Sequence, residues 1–152
     1  MRLVHEMTYT ETIAGPWGPT IGSPFGARLC WRVTSASLTG PRIHANLAMP
    51  GADWIRLGPD GIRRQDQRLT FTTDDDAVVL LSYDNALIRE SPAFLAALDT
   101  GGETSTEDQY MRMVAHFDTG DPRYTWLTSS LFIGAGRVAG DHRIEYQIHR
   151  LD

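Results

Sequence analysis

Between Gly40 and Ala77 the chain reads GPRIHANLAMPGADWIRLGPDGIRRQDQRLTFTTDDDA, a run of short alternating segments cut by turn signals. Gly40-Pro41, Met49–Ala52 and Gly58-Pro59-Asp60-Gly61 are turns that a long helix would not tolerate. Inside the segments, polar groups recur at every second residue opposite an apolar face. That is the period of a half-buried strand. The pattern suits a small barrel with a partly polar lumen. His44, Asp53, Trp54, Asp66 and Arg68 all fall within it.

The rest of the chain has the same grammar. Strands are expected over Leu3–Thr12, Arg28–Ser37, Arg42–Ala48, Asp53–Leu57, Ile62–Thr73, Ala77–Tyr83, Gln109–Thr119, Tyr124–Ile133 and Ile144–His149. Ala86–Ile88 is expected to continue the sheet. The apolar run Ala77–Leu81 predicts burial on both faces. One short helix is expected over Ser91–Leu98, with Ser91 as its cap and Pro92 at its first position. The Gly- and Pro-rich Gly15–Gly26 is expected to be a loop long enough to cover a pocket mouth. No strand–helix alternation recurs, so a doubly wound sheet is excluded. An antiparallel barrel or sandwich remains.

At 152 residues the chain is expected to form one domain. Its formal charge of -5, with no basic run, argues against a nucleic-acid partner. Cys30 is alone, so neither an intrachain disulfide nor a cysteine metal site is expected. No signal-type or membrane-spanning apolar run is visible, and a soluble cytoplasmic protein is the expectation.

Several elements resemble the DUF3237 family, also called UPF0311. They are Gly26-Ala-Arg28, Pro50-Gly51-Ala52-Asp53-Trp54, Asp66-x-Arg68, Thr73-Asp74-Asp75, Tyr110-x-Arg112, Phe117-x-Thr119-Gly120, Tyr124-x-Trp126-Leu127 and Phe132-x-Gly134-x-Gly136. They run through nearly the whole chain. The resemblance implies a closed antiparallel β-barrel of about 8–10 strands with a central cavity. It also implies association as a homodimer or higher homo-oligomer. It implies no single activity. The chain departs from the family pattern at Asn46, Asp76, Met111 and Thr128.

Asp66 and Arg68 leave their strand on one face, continued by Thr70 and Thr72, while Leu69 and Phe71 take the other. Turned to the lumen, the pair would hold a carboxylate, phenolate or enolate. Turned outward, it is a structural ion pair or a solvated face. Asp53 either caps its turn or serves as a general base raised toward neutrality by an apolar wall such as Trp54. His44 and His116 are candidates to move protons near pH 7. Arg28, Arg68 and Arg112 are candidates for anion stabilisation. Tyr110 and Tyr124 are candidate pocket walls, as is Trp126, for which barrel packing is the plainer reading. A His44–His116–Asp53 metal site is conceivable, but no spacing demands it, and no cofactor is expected. The combined reading is a cofactor-free isomerase, cyclase or hydratase/dehydratase acting on a small carbonyl- or phenol-bearing metabolite. Asp53 would be the base and Arg68 or Arg112 the oxyanion partner. The alternative is a binding barrel without chemistry.

Overall fold

The computed structural model describes residues 1–18 and 20–152. Nine strands follow one another as β1 (Leu3–Trp17), β2 (Ala27–Gly40), β3 (Ile43–Leu47), β4 (Gly51–Leu57), β5 (Arg63–Thr73), β6 (Val78–Arg89), β7 (Tyr110–Asp118), β8 (Leu131–Val138) and β9 (Arg143–Leu151). Every pairing is antiparallel. The ring closes because β1 pairs with both β9 and β2. β3 and β4 share one place in it. Both lie between β2 and β5, with β3 against Ser37–Gly40 of β2 and β4 against Ala27–Val33. The expected closed barrel is therefore present, with eight strand positions, one of them split. A barrel of about eight strands has an interior that side chains fill or that holds one small ligand.

Period-2 alternation sorts the residues. Met7, Tyr9, Leu38, Phe71, Leu81, Phe132 and Ile148 point inward and are fully buried. Two inward positions on β8 carry no side chain. A Cβ on Gly136 would lie 2.6 Å from a ring carbon of Tyr146 and 2.8 Å from Cγ of Met111. One on Gly134 would lie 2.7 Å from Cγ of Met113. These glycines leave room for larger neighbours on β7 and β9.

Each end of the barrel meets a short helical element. At one end lies α1 (Pro92–Thr100). The Ser91 hydroxyl accepts from the Phe94 amide (3.1 Å), Pro92 starts the helix, and Gly101 ends it at a φ of 72°. At the other end a 3-10 turn, Pro122–Tyr124, leads into α2 (Thr125–Thr128). The segment Tyr124–Ile133 is thus not one strand. The Asp121 carboxylate accepts from the Arg123 amide (2.9 Å), and Pro122 begins a helical turn that seats Leu127 in the core.

Three further expectations change. Ala77–Tyr83 and Ala86–Ile88 form one strand, whose ladder with β7 is interrupted between Ser82 and Leu87 where Asn85 takes a positive φ. The run Ala77–Leu81 is buried on one face only, because a barrel wall has one inside; Val78 and Leu80 are 54% and 44% exposed. The expected loop from Gly15 begins as strand, since β1 runs to Trp17, while Pro19 lies outside the described residues. Among the described residues it is α1, not this loop, that lines the lumen cavity. No helix among the described residues is long and apolar enough to cross a membrane.

Candidate active site in the barrel lumen

Two carboxyl groups are buried in the α1 end of the lumen. Glu11 continues the inward face of Met7 and Tyr9 on β1 and is 1% exposed, and Asp53 on β4 is 2% exposed. Each is held by a glutamine from β5, and each glutamine is held by a tyrosine. Tyr146 donates to Gln65 Oε1 (2.6 Å), and Gln65 Nε2 donates to Asp53 Oδ2 (2.6 Å). Tyr83 donates to Gln67 Oε1 (2.5 Å), and Gln67 Nε2 donates to Glu11 Oε2 (2.9 Å). The Tyr9 hydroxyl, with one proton, lies 2.6 Å from Glu11 Oε2 and 2.8 Å from Gln67 Oε1, and the shorter, charge-assisted contact to the carboxylate takes that proton. In both chains the tyrosine hydroxyl donates to the amide oxygen and the amide nitrogen donates to the carboxylate.

Burial dominates the acidity of the site. It pushes the Glu11 carboxyl up to about 7, against the pull of the Tyr9 and Gln67 bonds. It holds Asp53 well above the usual carboxylate range, and the nearby Glu11 charge adds to this against the Gln65 bond. The same burial, together with the Glu11 charge, keeps Tyr9, Tyr83 and Tyr146 protonated, so they act as donors.

Both carboxyls border a small cavity, walled by Ile13, Ile55, Ile88 and Met111 and reached from α1 by Phe94 and Leu98. Its volume is about 20 Å³, room for about one water molecule. Asp53 Oδ1 and the indole Nε1 of Trp31, both from residues lining it, are buried without hydrogen-bond partners. The single cation in the lining, Arg63, is paired with Glu90 at the rim.

Of the candidate catalytic and pocket residues read from the sequence, Asp53 alone reaches this cavity, and Met111, where the chain departs from the family pattern, also lines it. Asp66 and Arg68 do form an ion pair (3.1 Å), but on the outer wall, where the Arg68 side chain is 74% exposed. The alternation that sends Leu69 and Phe71 inward sends this pair out. Trp54, next to Asp53, points outward for the same reason and is 52% exposed. His44, His116 and Arg28 are exposed on the outside. Arg112 also leaves the wall outward; its guanidinium lies 5.2 Å from the Tyr110 ring and donates to the Met111 carbonyl (2.9 Å). Tyr124 and Trp126 belong to the other end. The Tyr124 hydroxyl donates to Asp75 (2.8 Å), and Arg42 stacks 3.7 Å from the Trp126 ring. With His44 and His116 outside the wall and Asp53 inside, the three cannot share a metal. No group of three or more His, Cys, Asp or Glu side chains among the described residues is placed to hold one.

Glu11, Gln65, Gln67, Trp31 and the three tyrosines did not stand out in the sequence. The signal was there: Glu11 follows Tyr9 on the face of Met7, and Gln65 and Gln67 precede Leu69 and Phe71 on theirs. A polar residue in phase with an apolar face is a lumen group.

The comparisons with known proteins concern the whole barrel. The family model described as a protein of unknown function, DUF3237, matches residues 1–151. A UPF0311 protein of Rhodopseudomonas palustris strain TIE-1 is 31% identical over 127 residues, 83% of this chain and 81% of that protein. A crystal structure of a conserved protein of unknown function from Rhodopseudomonas palustris superposes with a TM-score of 0.84 at 24% identity, covering 99% of this chain and 98% of that one. An enzyme from Penicillium herquei shares the fold with a TM-score of 0.66 at 18% identity, over 99% of this chain and 96% of that one. With a shared barrel and a family match along essentially its full length, the chain belongs to the DUF3237 family, the UPF0311 proteins.

Proposed function

We propose that the protein is a cofactor-independent acid–base enzyme, an isomerase, cyclase or hydratase/dehydratase, for a small metabolite bearing a carbonyl or a phenol. One observation carries this reading. Glu11 and Asp53 face the same small, largely apolar cavity, and burial raises both carboxyls, Glu11 to about 7 and Asp53 well above the usual carboxylate range. Two carboxyls whose surroundings hold a proton between them can take a proton from one atom of a substrate and return it to another. An enzyme from Penicillium herquei on the same fold lends general support. A substrate larger than a water requires the lining to rearrange, because the cavity has room for about one water. That small volume also favours a second reading, in which the lumen binds a compact ligand without turning it over.

The test is carbon–deuterium exchange in D2O over a panel of small ketones and phenols. The wild type is compared with the double variant Glu11→Gln, Asp53→Asn. Exchange or rearrangement of a panel member by the wild type alone supports the enzyme. Members that bind both proteins without exchange support the binding barrel.

A further inference from the structure

The two carboxyls do not have equal surroundings, and the difference assigns their roles. Glu11 Oε2 accepts two hydrogen bonds, from Tyr9 and Gln67, and two donors on one carboxylate oxygen favour the anion. Asp53 accepts one side-chain bond, from Gln65, on Oδ2, and the Asp66 backbone amide also favours its anion, but burial and the Glu11 charge outweigh both and hold its carboxyl well above the usual range. With Tyr146 donating to the Gln65 amide oxygen and Gln65 Nε2 donating to Asp53, Oδ2 accepts in this arrangement. A proton on Asp53 therefore resides on Oδ1, which is buried and has no partner. Trp31 stands directly opposite Asp53 in the β2–β4 ladder. Its indole N–H, a donor only, is likewise buried without a partner in a residue lining the same cavity.

We propose that Trp31 Nε1–H and Asp53 Oδ1–H together form a two-donor cradle for a carbonyl oxygen, with Glu11 as the base that faces it. The assignment rests on the acid–base reading and deepens it by naming the substrate class. The substrate is an uncharged molecule with a carbonyl acceptor and an acidic C–H beside it. An anionic substrate is disfavoured, because the lumen already holds two carboxyls and its one lining cation, Arg63, is neutralised by Glu90.

The step balances without a cofactor. The Glu11 carboxylate takes the proton from carbon, and the C–H electron pair becomes the new C=C bond. The carbonyl π pair takes the Asp53 proton to give a neutral enol, while the Trp31 N–H stays hydrogen-bonded to that oxygen. Glu11 is then protonated and Asp53 ionised, so the pair carries one negative charge before and after. Isomerisation follows when Glu11 returns its proton to the other end of the enol system and Asp53 recovers its own. Gln65 and Tyr146 are positioning residues that act through Asp53.

The experiment uses the full chain labelled with 13C at carboxyl groups and 15N at indoles, with acetophenone and benzoate as probes. In the free protein at pH 7 the Asp53 carboxyl carbon should show the neutral-acid shift, while Glu11 titrates near 7. Tyr146→Phe should move the Asp53 midpoint and leave that of Glu11 nearly unchanged. Acetophenone should move the Trp31 indole resonance, and Trp31→Phe should bind it roughly tenfold more weakly. Glu11→Gln should bind it as the wild type does but fail to deuterate its methyl group. A proton found on Glu11 with Asp53 ionised overturns the role assignment while leaving acid–base chemistry intact. Both carboxyls ionised at pH 5 would defeat the functional reading itself. Acetophenone bound with the Trp31 signal unmoved, benzoate preferred, or neither probe admitted overturns the carbonyl cradle.

Discussion

The two ends of this barrel are closed by similar means and filled by opposite chemistry. At the α2 end, Leu127 and Phe132 are buried among apolar neighbours, with the Phe132 ring edge-on to Phe117 at 5.1 Å and to Trp126 at 6.0 Å. At the α1 end, a helix also reaches the lumen, but Phe94 and Leu98 meet two carboxyls and their glutamines. The first end is a core like that of any small domain, where close packing stabilises the fold. The second keeps ionisable groups out of water, which costs stability. A fold that needed only to be stable would fill both ends with the first kind of packing. The proposed function at the α1 end accounts for this contrast.

The largest expected effect tests the apolar end. Phe132→Ala should destabilise the protein by about 3–5 kcal/mol in urea unfolding, equally at pH 5 and pH 8, because the Phe132 ring packs on the rings of Phe117 and Trp126, which carry no titrating group. A pH-dependent loss would break the contrast.

A smaller effect of opposite sign is expected at the other end. Folded Glu11 keeps its proton up to about pH 7, whereas the unfolded chain releases it near 4.5. Between these values the unfolded state binds fewer protons, so stability falls as pH rises through the window and stays low above it. Glu11→Gln removes this penalty. It should be more stable than wild type by about 3 kcal/mol at pH 8 and close to wild type at pH 4. Asp53→Asn should shift in the same direction, because burial holds its carboxyl above the normal range as well. A Glu11→Gln effect independent of pH would remove the ionisable character assigned to this end.

The smallest effect sharpens the comparison between the inside and outside of the wall. Arg68→Ala breaks an exposed pair with Asp66 and should change stability by less than about 0.5 kcal/mol. It should leave the 13C titrations of Glu11 and Asp53 where they were.

The barrel was legible in the sequence because turn residues and period-2 alternation are local signals. Even the helix at Ser91-Pro92 could be read from its cap. The site was less legible, and β5 shows why. Asp66 and Arg68 draw attention as a charged pair, but a charge at a strand position is cheap when it faces water. Gln65 and Gln67 look unremarkable, yet they occupy the costly positions, in phase with Leu69 and Phe71. Chemistry in a barrel is better sought among the polar residues that keep step with the apolar ones. Which glutamine serves which carboxyl depends on cross-strand register, and single-strand periodicity does not carry that information. The helical turn at Pro122–Thr128 was missed for a related reason. Its aromatic residues, Tyr124 and Trp126, read as strand formers until tertiary packing decides otherwise.

Gly136 contributes no atom to the proposed proton transfer, yet the aim of the donor in that proposal depends on it. The Tyr146 ring lies where a methyl at position 136 would sit, and its hydroxyl sets the orientation of the Gln65 amide. Adding that methyl would tilt the ring, release the amide to turn over, and let Asp53 offer its proton from the wrong oxygen. In this barrel an alanine on a strand with no reactive group is a way to retune the acid from behind.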